Sequence, residues 1–137
     1  MKKVSASLFI SFLLMLIASC SFTTANIDDV KMCTSIVDNQ CEADNPIFNT
    51  TTPEIFISCS LKNAPDNTDV EFAWYYYDEQ KVKIDAVVLN SGSITGTLSF
   101  QSSLPKPDND WPIGDYEVIM TILGFDKEPV VKKFSVK

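Results

Sequence analysis

From residue 30 onward, apolar positions recur at every second residue. Ile55, Ile57, Cys59 and Leu61 alternate with polar or outward positions, and Ile94, Gly96, Leu98 and Phe100 keep the same beat. That period belongs to strands with one buried face. It predicts strands over 30–37, 54–62, 68–77, 81–89, 94–101, 116–123 and 130–136. The breaks "NAPDNT", "DEQ", "NSGS" and "GFDKEP" are rich in residues that turn a chain. A longer connection, "SSLPKPDNDWPIGD", precedes the sixth strand. No stretch beyond the leader holds a helical period with caps. About seven antiparallel strands at short spacing predict an all-β, two-sheet sandwich.

The third strand raises a question of its own, because "EFAWYYYDEQ" places Trp74, Tyr75, Tyr76 and Tyr77 in succession. Alternation puts Val70, Phe72, Trp74 and Tyr76 on the core face and Tyr75 and Tyr77 on the outer one. Two outward tyrosines make a flat patch suited to stacking on a sugar ring or anchoring a protein. Ordinary cross-strand packing, with lysine stems from 81–85 lying over the rings, accounts for them equally. Trp111, inside the Pro-rich connection, either caps the end of the sandwich or projects as a third contact residue.

Ahead of the strands the pattern changes. "MKKVSASLFISFLLMLIASC" opens with two lysines, runs apolar from Leu8 to Ile17 with only Ser11 interrupting, and ends on small residues. This is the layout of a secretory signal, and the run is short of the ~20 residues that a membrane-spanning helix needs. Ile17-Ala18-Ser19-Cys20 resembles the lipobox of bacterial lipoproteins. The resemblance implies cleavage before Cys20, acylation of that residue and attachment to a membrane. In that family an Asp after the Cys often retains the protein in the inner membrane. Ser21 stands here instead, which points to the outer membrane of the bacterial cell envelope. The organisation is then signal peptide 1–19, lipidated Cys and tether 20–29, and sandwich 30–137.

Two residues carry a second resemblance. Trp74 falls midway along the third strand, where an immunoglobulin-like sandwich buries its Trp. Tyr116 opens a late strand, as the tyrosine of a tyrosine corner does, its hydroxyl bonding backbone upstream. The body thus resembles the immunoglobulin-like domains of lipid-anchored envelope proteins, many of which have no assigned activity. Val118 occupies the position two beyond Tyr116, so an antibody-type bridge to Cys59 is absent.

Composition narrows the chemistry. All eleven basic residues are Lys and there is no His; the net charge is −7. Without Lys2 and Lys3 of the leader, nine lysines face eighteen acids, or −9. That balance argues against nucleic acid, whose binding rests on neutralised phosphates. Setting Cys20 aside leaves Cys33, Cys41 and Cys59, an odd number in an oxidising compartment. Cys33–Cys41 is the preferred bridge, because Cys41 lies in a turn-rich, exposed stretch; Cys33–Cys59 is the rival. A metal site is not expected, lacking His and CxxC spacing, nor is a calcium loop at "PDNDW" or "DNQCEAD". No cofactor motif is present.

The leading expectation is a non-enzymatic, lipid-anchored binding or scaffolding module for a protein or glycan, with Tyr75, Tyr77 and Trp111 as contacts. One alternative is an assembly accessory or inhibitor that pairs through an edge strand such as 81–89. Another is a small hydrolase using carboxylates such as Asp108 and Asp110, which requires a concave site and a raised pKa.

Overall fold

A computed structural model describes residues 23–93 and 96–137. Within them lie eight strands: β1 (Asn26–Cys33), β2 (Ile47–Phe48), β3 (Glu54–Ala64), β4 (Asp69–Asp78), β5 (Gln80–Asn90), β6 (Gly96–Pro105), β7 (Gly114–Ile122) and β8 (Val130–Val136). They form a three-stranded sheet, β1-β3-β6, and a five-stranded sheet, β2-β8-β7-β4-β5. The architecture is an immunoglobulin-like sandwich. β3 to β8 keep the predicted order, with ends shifted by a few residues. Ile94 lies outside the described residues.

Three features differ from the sequence reading. First, β1 starts at Asn26 and ends at Cys33, rather than spanning 30–37. Asp28 and Asp29 looked like tether, but the register slips between Asp28 and Lys31, and Asp29 sits at φ 51°. This bulge lets an acidic pair interrupt a strand whose Ile27 and Met32 are both buried. Residues 36–37 belong instead to a tight turn, where Asp38 and Asn39 take φ 51° and 62° and Val37 and Gln40 exchange backbone hydrogen bonds.

Second, β2 is an eighth strand and pairs parallel with β8. Two residues are too few to show a period. Phe48 is nevertheless a core residue, meeting the Phe134 ring edge-on at 5.8 Å. Third, β6 continues to Pro105, so only 106–113 connect it to β7.

The core lies between the sheets. Val70, Phe72 and Trp74 of β4 are 0–1% exposed, as parity required. They face Ile55, Ile57, Cys59 and Leu61 of β3, also buried. Each such large side chain contributes about 1.5–3 kcal/mol by leaving water. The Trp74 indole donates to Ser102 Oγ at 3.2 Å and meets Phe134 at 5.9 Å. Tyr116 stacks on Phe134 at 4.9 Å, and its hydroxyl donates to Pro112 O at 2.5 Å. That bond to backbone four residues upstream is the tyrosine corner.

The Cys33–Cys41 bridge is formed, and Cys59 is a free, buried thiol. The segment after the bridge crosses from one sheet to the other. Cys41 N donates to Ser58 Oγ, Met32 N donates to Asp44 Oδ1, and Lys132 of β8 holds the other Asp44 oxygen at 2.5 Å.

Candidate binding surface

The aromatic strand divides as parity demanded. Tyr76 turns inward, packs on Tyr116 at 4.8 Å and donates its hydroxyl to Ile113 O. Gly114 permits this contact: its φ is +147°, and a Cβ there would lie 3.0 Å from the Tyr76 ring. Tyr75 and Tyr77 turn outward, but neither ring is free. Lys81 Nζ sits 4.3 Å above the Tyr75 ring, the lysine-stem arrangement anticipated from sequence. Tyr77 is 41% exposed and hydrogen-bonded to Glu117, which raises its phenol above the ordinary value.

Glu117 is the hub of this patch and was not singled out in the sequence. It points outward from β7 beside Tyr75, yet is only 3% exposed. Burial pushes its carboxyl up, but the hydrogen bonds from Lys81 and Tyr77 and the nearby lysine charges outweigh that, leaving it below its ordinary value.

Trp111 belongs to the core. It is 3% exposed, its indole donates to Thr52 O at 2.8 Å, and its backbone N–H donates to Thr50 O. It caps the sandwich, and what it offers outward is one wall of an apolar socket beside Ile84. Cys20 lies outside the described residues. Asp110 is held by Lys106 at 2.8 Å. Among the described carboxylates, the two with shifted values, Asp44 and Glu117, are both lowered and both lysine-bound. Neither is tuned as a general acid near neutrality.

The most exposed element is β5. It lies at the end of its sheet, pairs only with β4, and only Leu89 along it is even half-buried. Val82, Ile84, Val87 and Val88 are 38–50% exposed. The facing sheet ends at β6, so the inner face of β5 overhangs it. The ladder shows which backbone groups are unpaired. Leu123 N donates to Asp69 O and Ser91 N to Thr68 O, so odd residues of β4 bond β7 and even ones bond β5. Val70, Phe72 and Trp74 therefore bond Leu89, Val87 and Asp85. The N–H and C=O groups of Ala86 and Val88 point off the sheet; of these the Ala86 N–H is taken by Asp85 Oδ1 at 2.9 Å.

Two hollows accompany this edge. A 440 Å³ cleft opens between β5 and β6, walled by Phe56, Val87, Leu89, Ser102 and Ser103. A smaller 160 Å³ socket lies beside Ile84, lined by Tyr76, Trp111, Tyr116 and two prolines. A third depression, around Ile47, Tyr77 and Lys133, lies at the opposite side of the five-stranded sheet.

No family model matches the chain, and no curated protein does. Among solved structures it is similar to the sporulation control protein Spo0M of Bacillus subtilis, at 12% identity and a TM-score of 0.46. The match covers 82% of this chain and 49% of that one, so the chain spans about half the length of that protein.

Proposed function

We propose that this protein is a lipid-tethered, non-enzymatic module of the bacterial cell envelope, at the outer membrane, that captures an extended protein segment by strand addition to β5. One observation carries the reading: a strand of eleven residues is bonded on one side only and exposes apolar side chains along its length. Long unprotected edges are templates for pairing, and folds that do not use them keep them short or covered. Lys81, Lys83 and the bulge at Ile84 blunt the first half of β5; the second half, Ala86 to Leu89, carries no charge. The tyrosine patch ranks lower, because Lys81 and Glu117 already occupy the rings. The lipobox-like Cys20 supports the tether, and the Cys33–Cys41 bridge supports a compartment outside the cytoplasm.

The test is a Val88→Pro variant. Proline there removes an unbonded N–H and leaves the ladder to β4 intact. It should abolish capture of envelope proteins by the tethered chain while leaving the circular dichroism and melting temperature near those of the parent. Undiminished capture would reject the edge. Mass spectrometry of Cys20, with Cys20→Ala as control, tests the tether: an unacylated Cys20 would reject it.

A further inference from the structure

Resting on the strand-addition reading, we infer that the captured segment has two apolar side chains four residues apart, with a lysine or arginine midway between them. A strand bonded to Ala86 and Val88 directs every second side chain onto the overhanging inner face of β5. What lies along that face is an apolar hollow, then a cleft that opens on the Asp85 carboxylate and runs on past Val87 and Leu89, with Gln101, Ser102 and Ser103 on its polar side.

The socket by Ile84 accepts only apolar groups. The polar tips of its walls are turned away and satisfied: Trp111 Nε1 on Thr52 O, Tyr116 Oη on Pro112 O, and Tyr76 Oη on Ile113 O. Its 160 Å³ suits a branched aliphatic side chain or a proline ring. The cleft has Phe56, Val87 and Leu89 as its apolar wall.

Asp85, next in the chain to Ile84 of the socket, lies in the cleft. It pairs with Trp74 and so points to the inner side, where it lines the cleft. Its only hydrogen bond is from the Ala86 N–H, and no lysine is within ion-pairing distance among the described residues. Lys83, across the bulge, pairs with Tyr75 and belongs to the outer face. A strand that pairs with Ala86 takes over that N–H and releases the carboxylate, which has no lysine partner among the described residues, to an incoming cation.

β4 acts as the ruler for spacing. Tyr76 lines the socket, Trp74 lies opposite Asp85, and Phe72 lies opposite Val87. A regular strand on the far side of β5 covers the same levels in the same count, about 13 Å at ~3.3 Å per residue. The pattern apolar-x-basic-x-apolar reads alike in both directions, so parallel and antiparallel docking both satisfy it.

The experiment uses the full chain in detergent micelles and blocked nine-residue peptides of serine and threonine. One carries leucine, lysine and leucine at its third, fifth and seventh positions; the second replaces the lysine with glutamate. Fluorescence anisotropy should show the lysine peptide binding about tenfold more tightly, as attraction gives way to repulsion. Asp85→Lys should invert the preference, a gain of binding that also shows the variant is folded. Equal binding of both peptides, with exchange at the Ala86 and Val88 amides slowed by each, would overturn the inferred chemistry and leave strand addition standing. Failure of both peptides to protect those amides would overturn both. Protection of the same amides by raising protein concentration alone would assign the edge to a second copy and overturn the inference.

Discussion

Lys81 Nζ reaches Glu117 Oε1 at 2.5 Å across the outer face of the five-stranded sheet, bridging β5 to β7 over the intervening β4. This contact spans three strands and pins the first half of the edge strand to the middle of its sheet. The second half of β5 has no such fastening among the described residues. The difference separates the part of β5 that a side chain ties to its sheet from the part that only the backbone ladder holds.

The pH dependence of stability follows from the pair. Glu117 and Asp44 titrate below their ordinary values of 4.5 and 3.8 in the folded protein. As pH falls, the unfolded chain takes up those protons first. The stability they confer is complete above about pH 4.5 and drains away as pH drops through the folded values. Lys81 titrates above its ordinary 10.5, so its share is complete below that pH and lost as pH rises further. Glu117→Gln should flatten the acid limb of a melting-temperature profile below pH 4.5, the ordinary value that the folded carboxyl lies under. An unchanged limb would show that the pair has no such role.

Tyr116→Phe removes the hydroxyl that closes the tyrosine corner and leaves the ring stack on Phe134 in place. The expected loss is about 1–2 kcal/mol in chemical denaturation, with Pro112 O left without its donor. Burial, with the Tyr76 hydroxyl nearby, pushes the Tyr116 phenol up to about 12. Parent and variant should therefore differ at the most alkaline end of a tyrosinate absorbance titration.

Trp111→Ala should cost about 3–5 kcal/mol through loss of a buried indole. Trp111→Phe should cost less, keeping most of the packing and losing the bond to Thr52 O. Coincident denaturation curves for the two variants would show that the bond and the packing do not contribute separately.

Replacing both Cys33 and Cys41 with Ser should lower stability by about 2–3 kcal/mol, the loop-entropy value for so short a ring. Hydrogen exchange should quicken along 34–45, with smaller changes in β4. Cys59 offers an internal control. Its thiol is 2% exposed and pushed up to about 12 by burial and by the Asp28 charge, so it should alkylate only when the domain opens.

Much of the fold was legible because alternation is a strong signal when one face is dry. Ile55 to Leu61 and Val70 to Trp74 each carry several turns of the pattern, and β3 and β4 follow it. The signal failed where strands were short or interrupted. Ile47 and Phe48 are too few to show a period, and β2 gains its place through Phe48 on Phe134. In β1 the acidic pair hid a bulge. The site was legible in outline: parity assigned Tyr75 and Tyr77 to the outer face and flagged 81–89 as a possible edge. Parity could not reveal that Glu117 and Lys81 take up those rings, since that depends on which strand lies beside which. Trp111 was ambiguous for the same reason. Its burial depends on Thr50 and Thr52, some sixty positions earlier in the chain, coming to meet it.

The short parallel pairing of β2 with β8 makes the two flanks of the five-stranded sheet unlike each other. It covers only Ser135 and Val136, so Val130 to Phe134 stay outside that ladder and the sheet keeps two unequal flanks, a long one along β5 and a short one along β8. Any edge-to-edge association would start from the longer flank.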